Sequence, residues 1–284
     1  WGLFDPTAIK TLLNTVGSSW AVKPRFVLLD GDSSYDYKNY LGDATYKNWV
    51  PSMMFEDLGD YTYMGRYASD GWYADWDGDG YPDAAVGRLA VRSLSQSEGF
   101  FQKILNYESQ ALSGTWYKKA LFIADKWTEA WEQSFETFND YLHDTFTQAP
   151  PWTRQKIYFK QPPYYGSDAA LCAADIRAAL PTCAITNFEG HSGIASWGKT
   201  AFFSSPSDVD LLSTVGPASY PLPYVLNGTC YTSAFVQPNA ASLAEDLVGR
   251  SDRGAIASSG FTSIGYPSEE EPIAEACFTE AFGP

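Results

Sequence analysis

Basic side chains and histidine are what this chain has least of. Lys and Arg number 19 against 34 Asp and Glu, a formal charge of −15, and histidine occurs twice. A surface this acidic repels phosphate backbones and anionic lipid, so nucleic acid and membrane surfaces are not expected partners. It attracts cations, among them calcium and basic peptides, and it also serves plain solubility. Cysteine is sparse as well, and four residues are too few for a disulfide scaffold. No run of about 18 apolar residues is present, so no membrane-spanning helix is expected. No glycine-rich phosphate loop follows the first strand candidate, which argues against a nucleotide-binding α/β protein. The chain opens at Trp1 with neither initiator Met nor signal-peptide pattern and closes on Phe282-Gly-Pro284. Both ends read as cuts, so flanking domains in a longer precursor are expected.

Aromatic residues are plentiful, with 10 Trp, 19 Tyr and 17 Phe in 284 residues, and 45% of the chain is hydrophobic. That is enough to bury a large core. Short apolar runs mark strands at 25–30, 84–87, 120–124, 155–159, 184–188, 224–226 and 254–258. Helical patterns fall at 6–16, 95–110, 128–147, 168–180, 207–214 and 242–248, several opened by cap residues such as Ser95, Asp168 and Ser207. Unbroken apolar strands alternating with helices predict an α/β fold, a mostly parallel sheet with helices on both faces. Long loops rich in Tyr, Asp and Gly precede Ser113-Gly114-Thr115, and regular alternation follows. Two subdomains are expected, residues 1–113 and 114–284.

Two segments carry chemistry. Ala184-Ile-Thr-Asn-Phe-Glu-Gly190-His191-Ser-Gly and Tyr224-Val-Leu-Asn-Gly-Thr-Cys230-Tyr are apolar runs that stop at small residues. Strand ends of a parallel sheet line a common crevice. A thiol and an imidazole delivered there make a cysteine nucleophile with its base. The other histidine, His143, falls inside a helical pattern. Glycines beside both residues allow close approach to a carbonyl, and the N–H groups of Ser192 and Cys230 are the oxyanion candidates. Cys172 and Cys183 are either bridged, if the compartment is oxidising, or two buried free thiols. Cys277 sits on an apolar helix face.

Asp75-Trp-Asp77-Gly-Asp79-Gly80-Tyr81-Pro-Asp83 follows the spacing of a calcium loop. It has acids at loop positions 1, 3, 5 and 9, Gly at 6 and a backbone carbonyl, that of Tyr81, at 7. Position 12 is Val86 rather than Glu, so a last ligand comes from elsewhere, Asp70 being one option. Calcium is expected here as a structural ion, with no organic cofactor.

Eight segments in order resemble the gingipain-type family of cysteine peptidases, in the caspase-like clan. They are Phe4-Asp-Pro-Thr-Ala-Ile-Lys, Pro24-Arg-Phe-Val-Leu-Leu-Asp-Gly-Asp32-Ser-Ser-Tyr-Asp36-Tyr, Tyr81-Pro-Asp83-Ala-Ala-Val-Gly-Arg88-Leu, Lys103-Ile-Leu-Asn-Tyr-Glu108, Ala120-Leu-Phe-Ile-Ala-Asp125, the His191 and Cys230 segments, and Arg253-Gly-Ala-Ile-Ala-Ser258. The resemblance implies a caspase-like sheet, endopeptidase activity on protein or peptide substrates, and a secreted or cell-surface location. It implies His191 as catalytic histidine and Cys230 as nucleophile. It also implies an acid against the far nitrogen of the imidazole. Asp125 is the positional candidate, with Glu129, Glu132 and Glu189 close by. Ser192 stands where the family typically has Gly, which narrows the site or weakens the oxyanion hole. Glu269, first of the run Glu269-Glu-Glu271, lies where clan relatives border the pocket for the residue before the cut bond. An acid there selects Lys or Arg, although a charge run is also ordinary solvated surface. Two rivals stand beside hydrolysis: a sorting transpeptidase of the same family, and a degenerate member serving as a binding or scaffold module.

Overall fold

The computed structural model describes residues 5–42, 48–56, 65–110, 114–216 and 219–282. The chain divides into two compact units. One is Trp1–Glu98 with Ala234–Ala240, and the other is Gly99–Ser233 with Ala241–Pro284.

In the first unit, α1 (Pro6–Ser19) starts where Asp5 accepts the Thr7 N–H and Pro6 takes the first helical position. β1 (Phe26–Asp30) pairs in parallel with β4 (Ala85–Leu89). Between them lies the hairpin of β2 (Met54–Glu56) and β3 (Arg66–Ala68). Arg88 makes a bidentate pair with Asp70 and also donates to the carbonyls of Gly31 and Val50. It thereby ties the strand pair to its surrounding loops.

The second unit opens with α2 (Leu94–Ser109), most of which belongs to it, and is built on a five-stranded sheet. Its strands are β5 (Lys119–Ala124), β6 (Thr153–Tyr158), β7 (Ile185–Glu189), β11 (Tyr224–Gly228) and β12 (Ala257–Gly260). The order is β12-β11-β7-β5-β6, parallel throughout. β5 is buried along almost its whole length, and its side chains alternate between two cores. Leu121 and Ile123 join the core beneath α4 (Ala169–Ala179) and α5 (Leu243–Gly249). Ala120, Phe122 and Ala124 join the core beneath α3 (Ser134–Phe146) and α6 (Pro267–Phe282). The period-two alternation thus places helices on both faces, as the pattern of the sequence predicts. A short antiparallel sheet, β8 (Ser192–Gly193), β9 (Ser196–Trp197) and β10 (Phe203–Ser204), leaves the end of β7.

Several sequence expectations shift. Residues 128–147 split into a 3-10 turn, Ala130–Gln133, and α3. Residues 207–214 give only the turn Val209–Leu211, because Asp208 binds the Ser204 N–H at 2.8 Å and pairs with Arg177. The strand expected at 254–258 begins at Ala257. Gly254, at φ +85°, makes a turn so close to Leu247 that a Cβ would lie 2.0 Å from its carbonyl oxygen. Cys172 and Cys183 are buried free thiols, and burial pushes each up to about 12. No helix among the described residues is long and apolar enough to cross a membrane.

Lys103 of α2 is buried, and its ammonium donates to the carbonyls of Val248, Arg250 (2.7 Å) and Ala255 (3.0 Å). It caps the end of α5 and holds the turn that feeds β12. Lys103→Met leaves three carbonyls without their donor. It is expected to lower stability by about 2–4 kcal/mol, measured as a shift of the urea midpoint at unchanged m-value.

Candidate active site

The site follows from one register. β7 and β11 are parallel neighbours, with Glu189 opposite Gly228. His191 is two residues beyond Glu189, and Cys230 is two residues beyond Gly228. Both reactive side chains therefore leave adjacent strands at the same level. The two turns are tied together. Thr229 Oγ1 donates to the Gly190 carbonyl at 2.6 Å, and the Gly190 N–H donates to the Gly228 carbonyl at 3.2 Å. Ser192 Oγ donates to the Cys230 carbonyl, which also accepts the Thr232 N–H at 2.7 Å. Gly190 sits at φ +154°, and a Cβ there would lie 2.4 Å from Cβ of Asp125. Cys230 is half-buried, with Sγ 3.5 Å from the Gly265 carbonyl.

His191 Nε2 lies 2.8 Å from Glu132 Oε1. Asp125, the positional candidate for that contact, does not make it. Its buried carboxylate accepts the backbone N–H groups of Lys126 (2.7 Å) and Lys199 (2.9 Å). Asp125 is in effect an anchor for the loops around the histidine. Burial raises its carboxyl, against the pull of those N–H groups. Glu132 reaches the ring because it closes the 3-10 turn at Ala130–Gln133. Its Oε2 accepts the N–H groups of Thr128 (2.6 Å) and Glu129 (3.0 Å) and the Thr128 hydroxyl (3.0 Å), which leaves Oε1 for the ring. Burial opposes ionisation of Glu132, but Lys199, these N–H groups and His191 outweigh it and hold the carboxyl well below the usual range. Edges of Trp131 and Phe135 flank the imidazole, with centroids 5.9 and 5.4 Å away.

Gly228, two residues before Cys230, lines a cavity of about 170 Å³ together with Asn187, Phe261, Ile273 and Glu270. The acid in it is not Glu269, which stands exposed on the first turn of α6, but Glu270. Glu270 is 5% exposed, its Oε1 has no hydrogen-bond partner, and a Cβ on Gly265 would meet that oxygen at 2.1 Å. Burial, then Glu269 and Glu271, push its carboxyl up to about 8. Glu189 is buried on the same face, its Oε1 accepting from Asn187 at 2.9 Å. Burial raises it far above the ordinary carboxylate range. A Cβ on Gly228 would lie 2.4 Å from both of its oxygens, so only glycine fits opposite this acid.

In the acidic loop, Asp75, Asp77 and Asp83 bring one carboxylate oxygen each within 4.8 Å of one another. Asp79 is not in that group, and its Oδ1 accepts the Tyr81 N–H at 2.8 Å. Asp70 is not a further ligand, because Arg88 and Ser52 occupy both of its oxygens. Three converging carboxylates suit a hard cation such as calcium. His143 is on α3, its Nδ1 against Asp144 and its ring edge on Phe122, with no part in the site.

Comparison with known proteins agrees with this architecture. The sequence profile of peptidase family C25 matches residues 1–284, and the chain belongs to that family. A search of curated protein sequences gives no match. The crystal structure of the Arg-specific cysteine proteinase gingipain R is similar, with a TM-score of 0.64 at 19% identity over 92% of this chain. A structure described as a protease is similar at TM-score 0.69 and 18% identity over 93% of this chain. At these identities the likeness is one of fold. The chain spans about half of each, 54% and 52%. Family and fold together support a cysteine peptidase.

A buried acid raised to about 8 favours the folded state most below pH 4.5, where its protonated form is free of cost in both states. That contribution is lost as pH rises towards 8. Glu270→Gln keeps the shape without the charge. It is expected to leave the melting temperature unchanged near pH 4 and to raise it by about 2 °C or more near pH 8, by scanning calorimetry.

Proposed function

We propose that this chain is a calcium-stabilised cysteine endopeptidase that cuts after Lys or Arg. The observation that carries the reading is the placement of Cys230 and His191 on equal steps beyond paired strands, with Glu132 on the far side of the imidazole. His191 accepts the thiol proton as Cys230 Sγ attacks the peptide carbonyl carbon. The negative oxygen that forms is met by backbone N–H groups, for which Cys230 and Ser192 remain the candidates. The Gly198 N–H to His191 carbonyl bond puts residues 191 and 198 in a hydrogen-bonded pair. Ser192, one step on, is then in the non-bonded pair with Trp197, and its N–H points out of the hairpin. The imidazolium returns its proton to the leaving amine. Water then attacks the thioester, with His191 again as base, and releases the carboxylic acid and the thiol.

The preference for a basic side chain rests on Glu270 in the cavity, with Glu189 buried against Gly228 of its lining. An incoming ammonium or guanidinium supplies the partner that Glu270 Oε1 lacks. Calcium is assigned to Asp75, Asp77 and Asp83, with Asp79 and the Tyr81 carbonyl completing the expected set. Such a loop fills where calcium is plentiful, which fits action outside the cell or at its surface.

Cys230→Ala is expected to abolish cleavage of a peptide library and labelling by thiol-directed peptide inhibitors, with unchanged circular dichroism. Retained cleavage would refute the nucleophile. In the same library, wild-type protein is expected to cut after Lys or Arg, and Glu270→Gln to lose that preference at least tenfold in kcat/KM, since a buried charge pair is worth about 1.4 kcal/mol or more. Chelation with EGTA is expected to lower the melting temperature, and added calcium to restore it. An unchanged value in Asp75→Asn and wild type alike would remove the metal assignment.

A further inference from the structure

We infer that Lys199 is a positioning residue that sets the charge on the catalytic histidine. It shares Glu132 Oε1 with His191 and so leaves the imidazole free to act as a base rather than as the counter-ion of a buried carboxylate. The inference rests on the cysteine-peptidase reading of Cys230 and His191.

Glu132 is 1% exposed, so its charge needs a partner within the protein. Its Oε2 is filled by neutral donors, which stabilise the carboxylate but carry no opposite charge. Two cationic candidates meet Oε1. One is His191 Nε2, and the other is the Lys199 ammonium, which also lies 3.1 Å from the Thr128 hydroxyl. A lysine is charged at every physiological pH, whereas an imidazole is charged only when it has taken a proton. With Lys199 present, the negative charge is neutralised whatever the state of the ring. Without it, the cation left beside the carboxylate is a protonated His191, so proton uptake by the ring becomes more favourable. The group that must accept the thiol proton would then already hold one.

The lysine is held in place by backbone, not by chance of rotamer. Its own N–H donates to Asp125 Oδ2 at 2.9 Å. The residue before it, Gly198, donates to the His191 carbonyl at 2.7 Å and sits at φ +85°, where a Cβ would lie 2.4 Å from the Phe202 ring. The hairpin that leaves the histidine thus returns to it, and Lys199 is the first residue after the return. This gives Asp125 its task, since it fixes the segment that delivers the lysine. The charged and titratable groups on the elements around the imidazole are Asp125 and Lys126 after β5, Glu129 and Glu132 at the 3-10 turn, Glu189 at the end of β7, Lys199, and Cys230. Of the lysines among them, Lys199 is the one bonded to the carboxylate that holds the ring. The ammonium of Lys126 is drawn instead to the Gly166 carbonyl.

With only two histidines in the chain, the ring resonances can be followed individually by NMR. In a Cys230→Ala background, the titration midpoint of His191 is expected to rise by about one pH unit in Lys199→Met, the scale on which one neighbouring charge acts. Lys199→Arg should restore it, and His143 should not move. Lys199→Gln, which keeps a donor but no charge, gives the same answer if the Met variant does not fold. With Cys230 intact, the acidic limb of kcat/KM for a fluorogenic peptide should move up by a similar amount in Lys199→Met, and back in Lys199→Arg. An unmoved His191 midpoint in both neutral variants, or an equal shift in Lys199→Arg, overturns the inference. Neither outcome touches the nucleophile. Conversely, cleavage by the Cys230→Ala protein would overturn the peptidase reading and leave the NMR result standing.

Discussion

The pairing of Glu189 with Gly228 is the constraint on which the site depends. Parallel strands in fixed register advance together, so whatever lies two residues beyond one end lies beside whatever lies two residues beyond the other. A slip of one residue would turn Cys230 away from His191 and would also drive a side chain into Glu189. The crowding at Gly228, with a Cβ only 2.4 Å from both carboxylate oxygens, makes that slip sterically costly. The buried acid therefore guards the register. The cross-ties from Thr229 and Ser192 then hold the two turns once the strands have set them side by side.

The site sorts four carboxylic acids into different roles by environment alone. Glu132 is buried but saturated with donors, so it stays ionised and orients the ring. Asp125 is buried and spends its oxygens on backbone N–H groups, so it shapes loops. Glu189 and Glu270 are buried with too few donors, and both are raised. An acid of the last kind is costly to the folded protein when ionised, and protonation or an entering cation relieves that cost. Identical chemistry is thus held ionised in one place and protonated in another by the count of hydrogen bonds each oxygen receives.

The sheet was legible because its strands are short apolar runs between capped helices, and β5 to β7 fall within one or two residues of the pattern. The two reactive residues were legible because each follows such a run and ends among glycines. What the pattern did not carry is direction. Glu129 and Glu132 read alike as acids after a strand, and only the tight turn at Ala130–Gln133 decides which one faces the ring. Glu269 and Glu270 read alike in a charge run, and only the phase of α6 decides which is buried. The later part of that helix was legible in the apolar face around Cys277, but its start was not, because Pro272 lies inside it and three acids precede that face. Lys199 left no trace beyond the Gly198 that precedes it.

Ser192 shows how a substitution that looks obstructive in sequence can be accommodated in space. A side chain at this position would crowd an approaching carbonyl if it pointed into the crevice. Here the hydroxyl turns across to the carbonyl of Cys230, so the added atoms bridge the turns that carry His191 and Cys230. The N–H of the same residue is left pointing out of the hairpin by the pairing of its neighbours. The hairpin from Ser192 to Lys199 therefore serves both sides of the imidazole. Its first residue braces the cysteine turn, and its return delivers a cation to the acid behind the ring. Because the Gly198 and Lys199 N–H groups hold that return to His191 and Asp125, any change that loosens the hairpin would disturb the Cys230 turn and the contacts of Glu132 with His191 and Lys199 together.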